Sequence, residues 1–410
     1  MRICMVASSY PRFPGDIAGT FIQSLADELH ALDHHVGVVA PHDPAAVSET
    51  LGPTPVRRFP YSPFANLQPM GYGKALTDDQ HLRRSAYALA APYLVSGAAV
   101  TARAAIDWHS DVIHAHWLLP NGPIGVAAAR VTGKPLVVTL HGSDIYLAQR
   151  NPILRWIARR TLRSARVVTA CSLDLLDSAQ ALGARPESLR LIPWGGDATR
   201  FSCGDGAAYR ERLGIDRDAP VVLGVGRMVE KKGFSYLLEA FQLLLAEGED
   251  TQPQPVLVMA GDGPQRAVLE ASARTMGIAG SVRFPGNVPW PDMPHLMAMA
   301  DVVAVPSVRD SAGNQDGLPT VALEAMAAGK PVIASALGGL PLVVEHGKTG
   351  LLVPPSDAPS LAQAIATLLD APETVELFGA AGRARVQGEL SWRSIAERYA
   401  SVYREAMSLP

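Results

Sequence analysis

The sequence of 410 residues has little of several features that each mark a class of protein. It contains only three cysteines, Cys4, Cys171 and Cys203, which are odd in number and far apart. They form neither a disulfide framework nor a metal-ligand pattern, and this favours a reducing cytoplasm. Because no run of about 18 apolar residues is seen, a membrane span is not expected. The apolar run near the start, RICMVA, is too short for a signal peptide.

Charge balance and missing motifs exclude further classes. The formal net charge of −3 argues against bulk binding of nucleic acid, which normally shows as a basic excess. No G-x-G-x-x-G fingerprint follows the first strand-like run, so hydride transfer from a nicotinamide cofactor is not expected. Apolar residues make up 48% and charged residues 18%, as in an ordinary folded protein, and the length favours two domains.

Short β-branched runs alternate with helical patterns rich in alanine and leucine along the whole chain. The strand candidates of the first half are RICMVA, HHVGVVA, DVIHAHW, KPLVVTLHG, RVVTACS and LRLIP. Those of the second half are PVVLGVGR, PVLVMAGDG, SVRFPG, DVVAVPS, KPVIAS and TGLLVPP. This alternation predicts an α/β protein with two facing Rossmann-like, doubly wound domains. Ligands are then expected at the carboxyl ends of the strands, in the cleft between the domains.

The turn-rich stretch Pro193 to Gly206 separates the two series of strands. We therefore expect an N-terminal domain over residues 1–195, a C-terminal domain over residues 206–385 and a last helical segment over residues 386–410. That segment carries an aromatic stripe at helical spacing, formed by Trp392, Ile395, Tyr399 and Tyr403. The stripe favours packing, and the segment could fold back on the N-terminal domain.

Two cations flank the loop that follows the first strand of the second half. In GVGRMVEKKGF, Arg227 ends the strand and Lys232 precedes Gly233 and a helical pattern. Such a pair suits a diphosphate, because an arginine can donate hydrogen bonds to two oxygens at once and a lysine adds a point charge. A solvated loop with incidental charges is the alternative interpretation.

Two carboxylates bracket the start of a later apolar helix in DGLPTVALEAMAAG. Asp316 precedes Gly317, and Pro319 is expected as the first helical residue, where its missing N–H costs nothing. Backbone N–H groups around Leu318 would then be open to phosphate or hydroxyl oxygens. Glu324 lies between apolar residues, and a buried unpaired carboxylate is costly, so a polar partner is expected. The alternatives are a helix-start anion for Asp316 and a satisfied ion pair for Glu324.

In the first half, His141 and Asp144 follow a strand in VVTLHGSD. The position of His141 at the cleft end of its sheet favours a functional role over a structural one. Gly19 opens a helical run whose free amides could hold a phosphate. His114 and His116 alternate along a strand and are expected to be core or supporting residues, since a metal site would need more ligands.

Together these features resemble glycosyltransferase family 4, which comprises retaining enzymes of the GT-B fold. The resemblance runs nearly end to end and rests on the Gly19 loop, HGSD, GRMVEKKG, GDGP, PGNV, DGLPTVALEAMAAGKPVIAS and TGLLVPP. It implies a retaining glycosyltransferase that moves a sugar from a nucleotide-sugar donor to a hydroxyl of a glycan, a lipid-linked sugar or a small molecule. The alternatives are a nucleotide-sugar epimerase or hydrolase of the same fold, and a non-catalytic nucleotide-sugar binding protein.

The resemblance also implies roles for individual residues. It gives catalytic roles to His141, Arg227, Lys232 and Asp316. It gives substrate contacts to Gly19, Asp144, Val288, Gly317, Leu318 and Glu324. The two cations would neutralise the donor diphosphate with support from Gly19, Glu324 would bind the ribose, and the backbone around Val288 would contact the base. His141, Asp316 and the amides that follow Asp316 would contact the donor sugar.

One position departs from the family pattern, and one cofactor class is not implied. Asp316 stands where the family usually has a glutamate, which draws the carboxylate back by roughly 1.5 Å and leaves the choice of donor open. No aspartate-pair motif of the metal-dependent transferases is present, so no metal is expected. The cations and helix amides can neutralise the diphosphate as a metal ion would.

The acceptor is expected on the N-terminal domain. The turn-rich, aromatic stretch Arg57 to Gly73 is a candidate acceptor loop. Residues 151–166 form a basic amphipathic helix that could rest on an anionic membrane, although a solvated helix face is the favoured interpretation of the pattern. The expected location is cytoplasmic, with a peripheral position at the inner face of the membrane as the refinement.

Overall fold

The computed structural model describes residues 1–47, 50–64, 68, 70–72, 84–248 and 253–409. The chain divides into two compact units, which are Met1–Trp194 joined by Trp392–Pro410, and Gly195–Ser391. Each unit contains one sheet of mainly parallel strands together with helices. The prediction of an α/β chain with two doubly wound halves is therefore confirmed.

The first unit has a sheet of eight strands in the order β3-β4-β2-β1-β5-β6-β7-β8. The strands are β1 (Arg2–Val6), β2 (His35–Pro41), β3 (Thr50–Leu51), β4 (Thr54–Phe59), β5 (Val112–His116), β6 (Leu136–Leu140), β7 (Val167–Ala170) and β8 (Leu189–Leu191). The helices are α1 (Thr20–Ala31), α2 (Arg84–Asp107), α3 (Asn121–Thr132), α4 (Ser143–Arg150), α5 (Pro152–Ser164), α6 (Leu173–Ala181) and, at the end of the chain, α16 (Trp392–Ser408). All paired strands are parallel except β3, which runs antiparallel to β4.

The second unit has six parallel strands in the order β11-β10-β9-β12-β13-β14. These strands are β9 (Val221–Val225), β10 (Val256–Ala260), β11 (Val282–Gly286), β12 (Val302–Val305), β13 (Val332–Ser335) and β14 (Gly350–Val353). The helices are α7 (Ala198–Phe201), α8 (Gly206–Arg212), α9 (Phe234–Glu247), α10 (Arg266–Thr275), α11 (Met293–Met299), α12 (Thr320–Ala327), α13 (Leu340–Val343), α14 (Ala358–Leu369) and α15 (Pro372–Gln387).

The central strands are buried along their whole length because helices cover the sheets. Every residue of β5, β6 and β10 is buried, as is typical of strands in parallel sheets. The strands β3 and β4 were missed from the sequence. The segment TPVRRF of β4 carries a proline and two arginines, and it holds its place through parallel pairing with β2 rather than through an apolar run.

The C-terminal helix α16 belongs to the first unit and begins at Trp392. Its inward face includes Ile395, Tyr399 and Tyr403 of the aromatic stripe, and it packs against α1 and beside β5, β6 and β7. Burial of these large side chains gives the hydrophobic driving force for docking.

One helix in the described part of the chain is long and apolar enough, by length and composition, to cross a membrane. It is the stretch Ala88–Asp107 of α2, although the sequence led us to expect no such segment. In the structure α2 packs against α3 and against β1, β2 and β4. A core helix passes the same test, so the finding is weak evidence for a span.

Candidate active site

The cations and carboxylates of the second unit lie near two neighbouring strands, β9 and β12, whose following connections lead to opposite sides of the sheet. After β9 the chain continues to β10 on one side, and after β12 it continues to β13 on the other, although β9 and β12 are paired neighbours. This topological switch point leaves a crevice at the carboxyl ends of the two strands, where doubly wound sheets bind ligands. Arg227 follows β9 after Gly226, and the loop after β12 carries Asp316.

Asp316 lies between two ammonium groups. The Nζ atom of Lys232 is 2.7 Å from Oδ2 of Asp316, and the Nζ atom of Lys231 is 3.3 Å from Oδ1. The carboxylate side chain is 13% exposed, so the pair is shielded from most of the solvent. Burial by itself would raise the pKa of Asp316, but Lys232 and Lys231 outweigh it and hold the pKa below its usual range. The site therefore keeps an ionised carboxylate and two cations together.

Arg227 adds a further positive charge near this carboxylate. The residue reaches the solvent, but its guanidinium is partly desolvated by neighbouring groups. This desolvation lowers the pKa of the guanidinium, while the charge of Asp316 opposes that change. The guanidinium remains charged at any physiological pH. Arg227, Lys231 and Lys232 thus outnumber Asp316 and make this crevice suited to an anion.

Hydrogen bonds tie the loop after β9 to the loop after β12. Glu230 accepts from the backbone N–H and the hydroxyl of Ser311, both at 2.8 Å. The N–H of Val308 donates to the carbonyl of Lys231 at 2.9 Å. Gly233 has φ of 68°, and a Cβ there would lie 1.8 Å from the carbonyl oxygen of Pro306. Only glycine allows this approach, and it keeps the lysines beside Asp316.

The start of α12 differs from the expectation. Pro319 is the residue before the helix, with φ −63° and ψ 117°, and the helix begins at Thr320. The prediction that Pro319 is the first helical residue was therefore wrong, because its extended backbone belongs to the preceding loop. No side chain caps the helix, while Gly317 and the buried Leu318 lie just before it. The carbonyl of Gly317 accepts from the N–H of Gly339 at 2.6 Å, which fixes the loop.

Glu324 lies in the second turn of α12 and is partly buried. Burial raises the pKa of Glu324 to about 7, although a hydrogen bond with Thr320 and the charge of Lys232 act against this. The carboxyl group is therefore more readily protonated near neutral pH than an ordinary glutamate. Its nearness to Lys232 shows that the structure brings Glu324 to the same crevice as Asp316.

Val288 follows β11, which lies on the far side of β10 from β9. The structure thus places it at the same edge of the sheet as the other site residues but not beside them. Its predicted contact to a base stays a prediction.

Gly19 of the first unit lies immediately before α1, in the loop after β1. Its φ is 75°, and a Cβ there would lie 2.5 Å from the carbonyl oxygen of Ser9. Any other residue would have to displace backbone, so glycine is required on two counts. In this sheet β1 and β5 are the neighbours whose connections diverge, so the Gly19 loop also lies at a switch point.

His141 follows β6 and is enclosed by aromatic rings. It stacks between Trp117 and Trp194, with ring centroids at 4.3 Å and 5.0 Å and interplanar angles of 23° and 22°. Phe21 of α1 lies 5.3 Å from it, which brings the Gly19 end of α1 and His141 together. Burial keeps the pKa of His141 well below its usual value, so the imidazole is neutral. Its Nε2 atom is buried and has no hydrogen-bond partner within the described chain.

Asp144 supports the loops around His141. One carboxylate oxygen accepts from the N–H of Leu118 at 2.6 Å, and the other accepts from the N–H groups of Gly142 and His141 at 2.9 Å and 3.3 Å. Burial raises the pKa of Asp144, and these backbone bonds oppose the rise. The geometry gives Asp144 a structural task that the sequence did not reveal. Its predicted contact to substrate stays a prediction.

The two histidines of β5, His114 and His116, are fully buried, as expected for core or supporting residues. His114 bonds through Nδ1 to the Tyr403 hydroxyl of α16 at 2.9 Å and through Nε2 to the Thr139 hydroxyl at 2.7 Å. Neither ring nitrogen of His116 has a partner among the residues described, and burial lowers its pKa to about 3. In the same part of the chain, no group of three or more His, Cys, Asp or Glu could hold a metal ion.

Sequence reasoning missed three residues of these two regions. Lys231 was not considered beside Lys232, and Trp194 lies in a turn-rich stretch with no pattern of its own. Trp117 has φ of 69°, a left-handed conformation that costs a bulky residue roughly 1–3 kcal/mol and often marks a functional site. Only its position directly after a strand could have drawn attention to it.

The candidate acceptor loop, Arg57 to Gly73, is described in part, because residues 65–67, 69 and 73 lie outside the described residues.

Comparisons with known proteins agree with this arrangement. Residues 18–195 match the "Glycosyl transferase 4-like domain", and residues 205–385 match "Glycosyl transferases group 1". The chain is 32% identical over 311 residues to a D-inositol 3-phosphate glycosyltransferase of Thermobispora bispora, across 72% of this chain and 71% of that protein.

Two further proteins extend the likeness. A GDP-mannose-dependent alpha-(1-6)-phosphatidylinositol monomannoside mannosyltransferase of Mycolicibacterium smegmatis is 33% identical over 286 residues, across 69% of this chain and 73% of that protein. Among solved structures, the sucrose-phosphate synthase of Thermosynechococcus elongatus is similar with a TM-score of 0.78 at 26% identity, across 98% of each chain.

Proposed function

The chain belongs to the group 1 glycosyltransferases of the GT-B fold, and from this premise we propose that it binds a nucleotide-sugar donor through the crevice of its second unit. The observation that carries the proposal is the meeting of Arg227, Lys232 and Asp316 at the carboxyl ends of β9 and β12. A diphosphate carries the negative charge that these cations need. Sugar transfer is the activity of the family, and the alternatives of an epimerase, a hydrolase or a non-catalytic binder have no support among the relatives.

The proposed reaction proceeds with retention on one face of the sugar. The bond between the anomeric carbon and the diphosphate oxygen breaks, and a bond from that carbon to the acceptor oxygen forms. The hydroxyl proton of the acceptor passes to an oxygen of the departing phosphate. Fixed positive charge at the departing phosphate is the largest expected catalytic contribution, because negative charge develops there in the transition state. Arg227 and Lys232 supply that charge.

The acids and the helix start hold the hydroxyl groups of the donor. Glu324 accepts from the ribose, and Asp316 with the amides of Gly317 and Leu318 contacts the donor sugar. Ionised carboxylates accept strong hydrogen bonds, which supports these roles. The contacts implied for Gly19, His141, Asp144 and Val288 complete the proposal as further predictions.

The names of the relatives support the donor and acceptor classes. One relative is named as dependent on GDP-mannose, and another acts on D-inositol 3-phosphate. We propose a nucleoside diphosphate sugar as donor and a hydroxyl of a carbohydrate or lipid-linked molecule as acceptor. The shorter side chain of Asp316, where the family usually has glutamate, leaves the sugar itself to experiment.

A donor panel tests the proposal. The purified protein is heated with UDP-, GDP-, ADP- and TDP-sugars, and the unfolding temperature is followed. A donor present at 100 times its dissociation constant adds roughly 2.7 kcal/mol to the free energy of unfolding. The donor that stabilises is then incubated with carbohydrate and inositol acceptors, and the product is analysed for its anomeric configuration. No stabilisation by any donor, or a product with inverted configuration, would contradict the proposal.

We also propose that the first unit rests on an anionic membrane through α5. Ile153 and Trp156 of this helix are 69% and 60% exposed, and the guanidinium of Arg160 lies 5.1 Å from the Trp156 ring. Arg155 and Arg159 are exposed on the same helix. Exposed aromatic and aliphatic side chains among arginines are typical of helices that lie at an anionic lipid surface.

Flotation with vesicles tests the membrane contact. The protein is expected to float with vesicles that contain phosphatidylglycerol and to stay behind with phosphatidylcholine alone. Trp156→Ala should weaken flotation, whereas Val268→Ala, which removes an exposed apolar side chain from the second unit, should not. No flotation of the unaltered protein would contradict this contact.

We propose that transfer needs no metal ion, because Arg227 and Lys232 can neutralise the diphosphate. We also propose a cytoplasmic location, which the small number and wide spacing of the cysteines support.

A further inference from the structure

Lys231 makes a contact that the donor site, as proposed above, does not use. Lys232 alone matches the cation that the family places before the glycine, yet both lysines approach Asp316, one on each oxygen. The Lys231 side chain is only 16% exposed, although lysine side chains are normally solvated. Holding its ammonium in this place costs conformational entropy, so the contact calls for an explanation.

The backbone around Lys231 is fixed independently of its side chain. Its carbonyl accepts from the N–H of Val308, and the preceding Glu230 bonds twice to Ser311. Both partners lie on the loop after β12, the loop that also carries Asp316. Lys231 therefore moves with Asp316, which makes it a constant partner for the carboxylate.

Once a donor is bound, Lys232 can pair with either of two anions, the Asp316 carboxylate or the donor diphosphate. The charged groups around Asp316 are Lys231, Lys232 and Arg227, with Glu324 near Lys232. When Lys232 and Arg227 turn to the diphosphate, Asp316 loses cations while it is largely shielded from water. A shielded carboxylate without a partner is costly, and it would draw Lys232 back. A second ammonium on the other oxygen removes that competition.

We propose that Lys231 is a positioning residue for sugar transfer, which holds the Asp316 carboxylate so that Lys232 is released to the donor diphosphate. The inference rests on the proposed function of the same crevice. Lys231 acts through Asp316 and does not itself touch the phosphates.

A double-mutant cycle on the full-length protein tests this role. Lys231→Met removes the charge and keeps most of the side-chain length. It is expected to lower kcat/KM for the donor and to weaken UDP or GDP binding, each by about tenfold, as for the loss of one charge-assisted bond. In an Asp316→Asn background the same substitution should change either quantity by less than twofold, because no carboxylate is left to compete for Lys232. Lys231→Arg should restore most of the loss.

The control and the alternative outcomes separate the hypotheses. Lys348→Met removes an exposed ammonium that pairs with Glu345 in the same unit, and it should leave kcat/KM unchanged. If Lys231→Met does not fold, as judged by thermal unfolding, Lys231→Gln takes its place in the cycle. A loss that persists undiminished in the Asp316→Asn background would show direct phosphate binding by Lys231 and would overturn this inference alone. Failure of the unaltered protein to bind any nucleoside diphosphate would overturn the proposed function together with it.

Discussion

The crevices of the two sheets share one topology and differ in chemistry. In both, the first strand of the unit pairs with a strand whose connection leaves in the opposite direction, β1 with β5 and β9 with β12. Beside β9 and β12 the side chains are charged, with Asp316 between two lysines. Beside β1 and β5 a neutral His141 is stacked between two indoles, and the charged residues Arg12 and Asp16 of the loop after β1 neutralise each other.

The difference shows that the strand order supplies a place for a ligand, whereas the loops decide its kind. Cations around a shielded carboxylate suit the diphosphate of a donor. Aromatic faces and a neutral imidazole suit the apolar and hydroxyl surfaces of a sugar. In the first crevice the buried acids bond to groups of the chain itself: Asp144 accepts from backbone N–H groups, and Asp16 of the loop after β1 pairs with Arg12.

The largest effect is expected from removal of charge in the second crevice. Arg227→Ala should lower turnover by about 10²–10³-fold, as for the loss of one preorganised donor at a developing charge. Turnover is measured with the donor that the panel identifies. Arg212→Ala removes an exposed arginine that pairs with Asp292 in the same unit and serves as the control. Near-normal turnover in a folded Arg227→Ala variant would break the contrast between the two crevices.

The next effect concerns backbone geometry in the first crevice. Gly19→Ala should be less stable than Gly15→Ala by about 1–3 kcal/mol, the usual cost of forcing extra volume into a packed place. Both glycines have positive φ, but only at Gly19 would a Cβ meet backbone, since Gly15 has nothing within 4 Å. Chemical denaturation of the two variants measures the difference. Equal stabilities would show that the Ser9 carbonyl moves aside freely.

A smaller effect is expected on the pH dependence of donor binding, which should come from Glu324 of the second crevice and not from His141 of the first. The Glu324 carboxyl has a pKa of about 7 before binding, and its ionised form is the better acceptor for ribose hydroxyls. Donor affinity should therefore rise by about tenfold from pH 6 to pH 8, as the proton leaves. Glu324→Gln should abolish this dependence. His141→Ala should preserve it, because the pKa of His141 lies well below this range.

The smallest effect is expected from a chelator. Turnover should change by less than about twofold in EDTA, because side-chain cations do the work of a metal ion at the diphosphate. Turnover is measured before and after addition of EDTA, and then after addition of excess magnesium. Activity lost with EDTA and regained with magnesium would contradict metal-free transfer and would weaken the role given to the charged crevice.

Much of the fold was predictable because parallel strands under helices are apolar along their length. The runs KPLVVTLHG and PVLVMAGDG contain β6 and β10, whose residues are all buried. Edge elements were harder to predict. The strand β4 shows no such run, and only its pairing with β2 defines it.

The candidate site was predictable wherever a residue follows a strand or precedes a helix. Arg227 and Lys232 were singled out for the first reason and Asp316 for the second, and the structure places them in one crevice. Roles that depend on partners far along the chain were not predictable. The bonds of Asp144 to the backbone of Leu118 and the ring of Trp194 on His141 join segments whose separation in sequence carries no signal.

The sequence by itself determined the class of fold, the family and the residue types at the strand ends, because these depend on local pattern and on short motifs. Tertiary structure alone decided which charges neutralise one another. Lys231 and Lys232 are neighbours in sequence with Asp316 far beyond them, and only the pairing of β9 with β12 brings all three together. Electrostatic attraction falls with distance and with exposure to water. Charged residues therefore act together only where the fold brings them close and shields them from water.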